Sequence, residues 1–201
     1  MDTRTKIMES VIKECKNSLI GKISTVNVSK LAGTSESNIF KIFKTKDSLL
    51  IETFLYLDNK ITKKILSNYD IDAVETFGEM AQLVYNMWRM YLEFFAKNYS
   101  YAHFYSMFRT DNKLYTADVA RRQNTSKDKL WDFVVRLSGN DEEVLRQIPF
   151  NLFWTLAMDS TLAVAQRMAK GDIELSEDNI DYTYHILFDG IFELISAHLG
   201  L

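Results

Sequence analysis

Residues 23–50 read ISTVNVSKLAGTSESNIFKIFKTKDSLL, and this stretch decides the fold of the N-terminal part of the chain. Its apolar residues recur at helical spacing on both sides of Gly33, which predicts a short helix over about 25–31 and a second helix beginning behind Ser35. A third helix is predicted to begin near Lys46. Two short helices joined by a glycine-containing turn form a helix-turn-helix, the motif that lays its second helix in the major groove of DNA.

The residue types around the turn each have a physical role in this motif. Val28 and Leu31 share one helical face, and the small side chain of Ser29 allows the two helices to approach closely. Gly33 permits a left-handed turn, and Ser35 is placed to cap the following helix.

The segment resembles the DNA-binding domain of the tetracycline-repressor (TetR) family of bacterial regulators. The family pattern T-T-V-x-x-I-A-x-x-A-G-V-S-x-G-x-L-Y-x-H-F-x-x-K-x-x-L-L fits residues 23–50 without a gap. The positions that match or are conservative are Ser24, Val28, Ala32, Gly33, Ser35, Phe43, Lys46, Leu49 and Leu50. The motif covers the first quarter of the chain, and its order, spacing and N-terminal position make it specific.

The segment departs from that pattern at four positions. The usual valine, glycine, tyrosine and histidine are replaced by Thr34, Ser37, Phe40 and Ile42. Two frequent phosphate donors of the family are therefore missing, and the usual contacts to the DNA backbone are not assumed. Lys41, Lys44 and Thr45 are placed to substitute for them.

The composition indicates a packed helical protein, because 47% of the 201 residues are apolar and one is proline. This length allows one or two small domains. The single cysteine, Cys15, excludes an internal disulfide and a cysteine-based zinc site, and it fits the reducing cytoplasm in which we expect the protein. We expect no secretion signal and no membrane partner, since no run approaches the roughly 18 apolar residues of a membrane span.

The charge of the chain is unevenly distributed. The net charge of −3 by itself argues against nucleic-acid binding. Residues 1–70, however, hold 12 Lys and Arg against 8 Asp and Glu, a balance of +4, while residues 71–201 hold 12 against 19, a balance of −7. The positive excess coincides with the helix-turn-helix, as DNA binding requires. A balance of +4 over 70 residues is also ordinary, so charge supports the motif without proving it.

The remainder of the chain also reads as helix, without the period-two alternation that indicates a strand. A first helix is predicted over 3–19, ended by Gly21, and a long helix over 46–67. Further helices are predicted over 73–97, 101–108, 112–138, 142–169 and 176–199, with a kink or restart at Pro149. The expected fold is all-α with about nine helices.

The family resemblance implies the same number of helices, divided into a three-helix DNA-binding domain over 1–50 and a larger helical domain over 51–201 for ligand binding and dimerisation. It also implies a homodimer joined through the last two helices. The last helix gives independent support because it is apolar nearly all round, whereas a helix packed on one side has a polar face. Gly190 would let a partner helix approach closely. The alternative is a helix buried inside its own monomer.

The sequence contains no catalytic constellation. The histidines, His103, His185 and His198, are far apart, and neither a metal-ligand spacing nor a nucleotide-binding glycine motif occurs. We therefore expect no catalytic residue, no metal site, no cofactor and no enzymatic activity. A helical enzyme is the weak alternative, and it would need a bound metal or cofactor.

Aromatic residues with embedded polar ones characterise the second half of the chain. This pattern fits either a plain hydrophobic core or an apolar pocket with a few polar groups for a small-molecule effector. The candidate ligand-binding residues are Asn86, Trp88, Arg89, Phe108, Trp131, Trp154 and Asp159, with Gln166 as a further polar candidate. Asp159 would otherwise be solvated or form a salt bridge with Arg89 or Arg167.

The sequence thus predicts a DNA-binding transcriptional regulator, most simply a repressor that a small ligand releases from its double-stranded operator. Ser37, Asn38 and Lys41 are candidates for base edges, since asparagine pairs well with adenine and lysine with guanine. Phe40 would stack on a sugar or touch a thymine methyl. The candidates for phosphate contacts are Ser24, Thr25, Ser35, Lys44, Thr45 and Lys46.

Two further assignments complete the expectation. Ile39 and Phe43 belong to the core of the small N-terminal domain rather than to the DNA-facing surface. The alternative function is an all-helical protein–protein interaction module that does not bind DNA.

Overall fold

A computed structural model of the chain describes residues 1–16, 18–70, 73–74, 76–124 and 155–199. Within these ranges the regular structure is helical throughout, and the predicted all-α fold is confirmed. None of the helices in the described ranges is both long and apolar enough to cross a membrane.

Nine α-helices occur in the described ranges. They are α1 (Thr3–Cys15), α2 (Thr25–Ala32), α3 (Glu36–Phe43), α4 (Lys46–Leu66), α5 (Phe77–Ala96), α6 (Tyr99–Arg109), α7 (Ala117–Asn124), α8 (Ser160–Lys170) and α9 (Glu177–Leu199). A 3-10 turn at Ile20–Lys22 precedes α2, and a π-helical turn at Thr155–Asp159 precedes α8.

Three predicted boundaries were wrong. The first helix ends at Cys15 rather than at residue 19, because Leu19 is extended (φ −68°, ψ 146°) and Gly21 lies in the 3-10 turn. The helix predicted from residue 73 begins at Phe77, where Thr76 and Glu79 form a reciprocal capping box. The helix predicted from residue 112 begins at Ala117, since the Asp111 carboxylate accepts the N–H groups of Lys113 and Leu114 and holds a turn. Pro149 and most of the predicted 142–169 helix lie outside the described residues.

The chain divides into two compact units that do not follow chain order. One unit contains Met1–Thr62 and Asn98–Ser126, and the other contains Lys63–Lys97 and Lys127–Leu201. Helices α6 and α7 thus belong with the helix-turn-helix unit. The division into functional domains at 1–50 and 51–201 stays a prediction.

The core of the first unit is aromatic where α4 meets α6. The rings of Phe54 and Phe108 stack with centroids 4.3 Å apart, and the Phe54 and Tyr105 centroids are 4.8 Å apart. Tyr105 donates its hydroxyl to the buried carboxylate of Asp58 at 2.6 Å, and the amide of Gln123 on α7 donates to the same oxygen at 2.7 Å. These directional bonds fix α6 and α7 on α4, since a buried carboxylate is stable only when it is hydrogen-bonded.

A second polar cluster ties α6 to α1. The Glu9 carboxylate accepts hydrogen bonds from Tyr56 at 2.6 Å, Lys60 at 2.8 Å and Tyr101 at 3.0 Å. Burial alone raises the pKa of Glu9, but these three donors outweigh it and hold the pKa below its usual range. Glu9 is therefore ionised at neutral pH and joins three helices of the unit.

The second unit is organised around Trp88 of α5. Its indole N–H donates to the Thr161 hydroxyl of α8 at 2.8 Å, and both side chains are buried. The Trp88 ring also contacts Tyr184 and Phe188 of α9, with centroid distances of 5.1 and 5.9 Å. One side chain thus packs against two helices that are far from it in sequence.

Candidate nucleic-acid interface

Gly33 makes the turn of the helix-turn-helix. It has φ 65° and ψ 39°, a left-handed conformation that costs other L-residues about 1–2 kcal/mol. The Gly33 N–H donates to the Lys30 carbonyl at 3.2 Å, and the Thr34 N–H donates to the Ser29 carbonyl at 3.0 Å. These bonds satisfy the end of α2, and the predicted left-handed turn at Gly33 is confirmed.

Three predicted phosphate-contacting hydroxyls act as helix caps. Ser24 accepts the Asn27 N–H at 3.3 Å, Ser35 accepts the Asn38 N–H at 3.2 Å, and Thr45 accepts the Ser48 N–H at 3.0 Å. They therefore fix where α2, α3 and α4 begin. The Ser24 and Ser35 hydroxyls can each still donate an O–H while they accept the capping bond, so capping is compatible with a phosphate contact. The Thr45 hydroxyl already donates to the Ser48 hydroxyl at 2.9 Å, and a phosphate contact would need that bond to be exchanged.

One face of α3 is exposed, and it carries positive charge. Ser37, Phe40 and Lys41 are exposed at the helical spacing i, i+3 and i+4, and Lys44, the residue that follows the last turn of α3, is exposed as well. On the opposite side Ile39 is 0% exposed and Phe43 is 3% exposed, so their assignment to the core is confirmed. We call the four exposed residues the α3 face.

The other predicted base-contacting residue lies beside the α3 face. Asn38 is half-buried, and its side-chain amide donates to the Thr34 hydroxyl at 2.9 Å. A contact from Asn38 to a base would need that bond to be exchanged. The hydroxyl of Thr25 is likewise engaged, because it donates to the Glu36 carboxylate.

Acidic side chains near the α3 face have partners of their own. Glu36, in the first turn of α3, accepts from Thr25 of α2. Asp47, in the first turn of α4, lies 3.5 Å from the ammonium of Lys113. The α3 face itself contains two lysines and no carboxylate, so its local charge suits a polyanion.

Lys46 has a role that the sequence did not suggest. Its half-buried side chain reaches back, and its ammonium donates to the Gly21 carbonyl at 2.8 Å. This bond joins the start of α4 to the turn before α2. No sequence signal could reveal it, because the acceptor is a main-chain oxygen 25 residues away.

Two of the predicted ligand residues of α5, Asn86 and Arg89, form hydrogen bonds or salt bridges within the protein. The backbone carbonyl of Asn86 accepts from Tyr69 at 3.4 Å. The guanidinium of Arg89 binds Glu177 through two 2.6 Å contacts and Glu93 through one of 2.9 Å. Arg89 therefore pairs with two glutamates rather than with Asp159, which the sequence analysis gave as an alternative partner.

Of the remaining ligand candidates, one lies in each unit and two lie outside the described residues. Phe108 is buried in the first unit, stacked on Phe54. Asp159 is partly exposed at the end of the π-helical turn in the second unit. Trp131 and Trp154 lie outside the described residues. In the described ranges no three His, Cys, Asp or Glu side chains are grouped so that they could hold a metal ion.

Comparison with solved structures identifies the architecture. A TetR family transcription regulator from Marinobacter aquaeolei VT8 superposes with a TM-score of 0.76 at 18% identity, covering 93% of this chain and 94% of that one. The chain has the TetR-family fold. A TetR-like transcriptional regulator from Rhodococcus sp. RHA1 gives a TM-score of 0.67 at 14% identity, covering 94% of this chain and 96% of that one.

A third neighbour is the fatty acid degradation regulator FadR from Bacillus halodurans. Its TM-score is 0.66 at 14% identity, with 92% of this chain and 98% of that chain covered. The sequence itself matches no protein-family model and no curated protein. The similarity is therefore one of fold, carried by nearly the whole length of each chain.

Replacing Lys46 by alanine separates its two possible roles. We expect Lys46→Ala to lower unfolding free energy by about 0.5–1.5 kcal/mol, because the bond to the Gly21 carbonyl is lost. If Lys46 also contacts a phosphate, the slope of log affinity for duplex DNA against log salt falls by about 1. Urea unfolding and fluorescence anisotropy measure the two effects, with Lys63→Ala as the control for one lost charge. A lower stability with an unchanged slope would remove Lys46 from the phosphate-contacting set.

Proposed function

We propose that this protein is a DNA-binding transcription regulator that inserts α3 into the major groove. The observation that carries the proposal is the α3 face: Ser37, Phe40, Lys41 and Lys44 are exposed on one side of a helix whose other side is buried. The TetR-family fold of the chain supports the same function, since the neighbours with this fold are named as transcription regulators.

Each residue of the interface has a role that follows from its chemistry. Ser37 and Lys41 read base edges, and Lys41 suits guanine, whose major-groove edge presents two acceptors. Asn38 reads adenine after exchanging its bond to Thr34. Phe40, 37% exposed, stacks on a sugar or touches a thymine methyl. Phosphate contacts are assigned to Ser24, Thr25, Ser35, Lys44, Thr45 and Lys46.

Lys41→Ala tests sequence reading by the α3 face. The substitution should cost about 1–3 kcal/mol on the preferred operator and relax the preference at one base pair, because the lost contact is to a base. An operator is first selected from a random duplex pool, and affinities for the operator and random DNA are then compared. Equal losses on both would assign Lys41 to the DNA backbone instead. Absence of salt-dependent binding to duplex DNA would favour the alternative of a protein–protein interaction module.

We further propose that the protein acts as a homodimer joined through α8 and α9. In the single chain Tyr182 is 67% exposed and Ile186 is 82% exposed, and Gly190, also exposed, follows at the same four-residue spacing. Large apolar side chains beside a glycine make a stripe that a second helix can approach closely. A dimer would place two α3 helices in successive major grooves, about 34–36 Å apart.

Ile186→Asp tests the dimer without disturbing the monomer core. Because the side chain is already exposed in the single chain, the variant should keep its helical circular dichroism. It should nevertheless become monomeric in light scattering, since a buried unpaired charge strongly disfavours the dimer. The matched control is Leu19→Asp, at an apolar side chain that is 57% exposed in the other unit, and it should stay dimeric. A monomeric unmodified protein would end this proposal.

We also propose that a small effector binds in the second domain and releases the DNA, which makes the protein a repressor. Support comes from the aromatic surroundings of Trp88 and from the π-helical turn at Thr155–Asp159, since such turns are frequent at functional sites. Coupling of this kind is typically about 1–3 kcal/mol. Because Glu177 and Glu93 neutralise Arg89, and because residues 71–201 are acidic, the expected effector is neutral or cationic.

Decylammonium and decanoate test the charge of the effector, since both carry an apolar chain but their head groups have opposite charge. Decylammonium should quench the tryptophan fluorescence and lower DNA affinity by about 5–150-fold, corresponding to the usual range of coupling. Trp88→Phe should remove the part of the quenching due to Trp88. If decanoate released the DNA more strongly, the effector would be anionic and not neutral or cationic as proposed. That result would agree with a function like that named for the fatty acid degradation regulator. An identical fluorescence response in Trp88→Phe would place the ligand away from Trp88.

A further inference from the structure

Trp88 fixes which residues of α8 and α9 lie at the same height in the second unit. A short loop separates the end of α8 from the start of α9, so the two helices run antiparallel. Both helices contact the Trp88 side chain, α8 through Thr161 and α9 through Tyr184 and Phe188. Thr161 is therefore level with Ile186, which lies midway between the two aromatic residues on the opposite, exposed side of α9.

Opposite charges lie at the two ends of the exposed surface of α8 and α9. Arg167 follows Thr161 by six residues, about 9 Å along α8 at a rise of about 1.5 Å per residue. Glu193 follows Ile186 by seven residues, about 10 Å along α9. Because the helices are antiparallel, these displacements have opposite directions and place the two charges about 20 Å apart. Arg167 and Glu193 therefore cannot pair within one chain.

Both charges are on helix faces that point away from α5. Arg167 shares the exposed face of α8 with Ala163, at i, i+4 spacing, and Glu193 shares the exposed face of α9 with Ile186, two helical turns away. Among the described residues neither Arg167 nor Glu193 takes part in an ion pair. Asp189 lies between Ile186 and Glu193, but it is 3.0 Å from the imidazole of His185. An uncompensated positive charge and an uncompensated negative charge thus flank the apolar centre of the surface.

We propose that two copies of the chain pack about a two-fold axis at the level of Ile186, and that Arg167 of each copy pairs with Glu193 of the other. An axis perpendicular to the helices exchanges the two ends of the surface, so the two displacements of about 9 and 10 Å coincide. The ion pair then forms twice, as symmetry requires of such a contact. The inference rests on the proposed homodimer and adds the charges that fix its alignment.

The reciprocal charges favour a second copy of this chain over other helical partners. An apolar stripe by itself would accept many helices of suitable shape. A different protein would have to present an acidic group opposite Arg167 and a basic group opposite Glu193, about 20 Å apart along the helices. Like charges at either position would repel, and such repulsion suppresses wrong partners. Arg167 and Glu193 are therefore assigned to partner selection as well as to alignment.

Two single charge reversals test whether the ion pairs exist. Arg167→Glu and Glu193→Arg each replace both ion pairs by two like-charge contacts. Each variant alone should dimerise about 10–100-fold more weakly than the unmodified protein in sedimentation equilibrium. Both side chains are exposed in the single chain, so both variants should keep their helical circular dichroism. Lys63→Glu, at an exposed lysine in the same unit, is the matched control and should dimerise normally.

Mixing the two variants tests whether the pairing is reciprocal and between chains. In a dimer of one Arg167→Glu chain and one Glu193→Arg chain, both cross-chain contacts again join opposite charges. Fluorescein-labelled Arg167→Glu should therefore bind Glu193→Arg nearly as tightly as two unmodified chains bind each other, which fluorescence-detected sedimentation measures. The double variant Arg167→Glu/Glu193→Arg should also regain the affinity of the unmodified homodimer.

Each result decides the inference. Weak dimers of both single variants, with recovery in the mixture and in the double variant, support it. Weakening without recovery overturns it, because the loss then does not come from reciprocal pairing. A normal dimer of either single variant overturns the ion pair and leaves the proposed homodimer intact. A monomeric unmodified protein overturns the inference and the proposed homodimer together.

Discussion

The left-handed turn at Gly33 is the constraint on which the N-terminal unit depends. With φ 65° it ends α2 after eight residues, and the Thr34 N–H returns to the Ser29 carbonyl. Ser35 then caps α3 at once, so the second helix leaves in a fixed direction. That direction buries Ile39 and Phe43 and leaves the α3 face in solvent. One backbone conformation therefore decides which side chains are available for the proposed contact with DNA.

The polar groups around the α3 face are held in place before any ligand binds. Ser24, Ser35 and Thr45 cap helices, and Lys46 binds a main-chain carbonyl. Groups already fixed lose less conformational freedom on binding, which favours affinity. The same engagement means that a substitution at these positions affects the fold as well as any proposed contact with DNA, so stability and affinity must be measured together.

The two polar clusters on α4 explain why α6 and α7 belong to the first unit. Glu9 accepts bonds from α4 and α6, and Asp58 accepts bonds from α6 and α7. Each carboxylate is shared by helices that are distant in sequence, and its bonds fix their relative positions more tightly than apolar contacts would. Movement of residues 98–126 would therefore strain or break the hydrogen bonds that join them to α1 and α4.

The sequence by itself determined the helical class, the helix-turn-helix and the Ser35 cap, because a glycine turn, a serine cap and helical periodicity act over a few residues. It also placed Ile39 and Phe43 in the core, and the TetR resemblance correctly indicated the fold. Only the tertiary structure decided that Lys46 binds the Gly21 carbonyl, that Arg89 pairs with Glu177, and that residues 98–126 join the first unit. Those outcomes depend on long-range contacts between a few polar atoms, and such contacts leave no periodic pattern in the sequence.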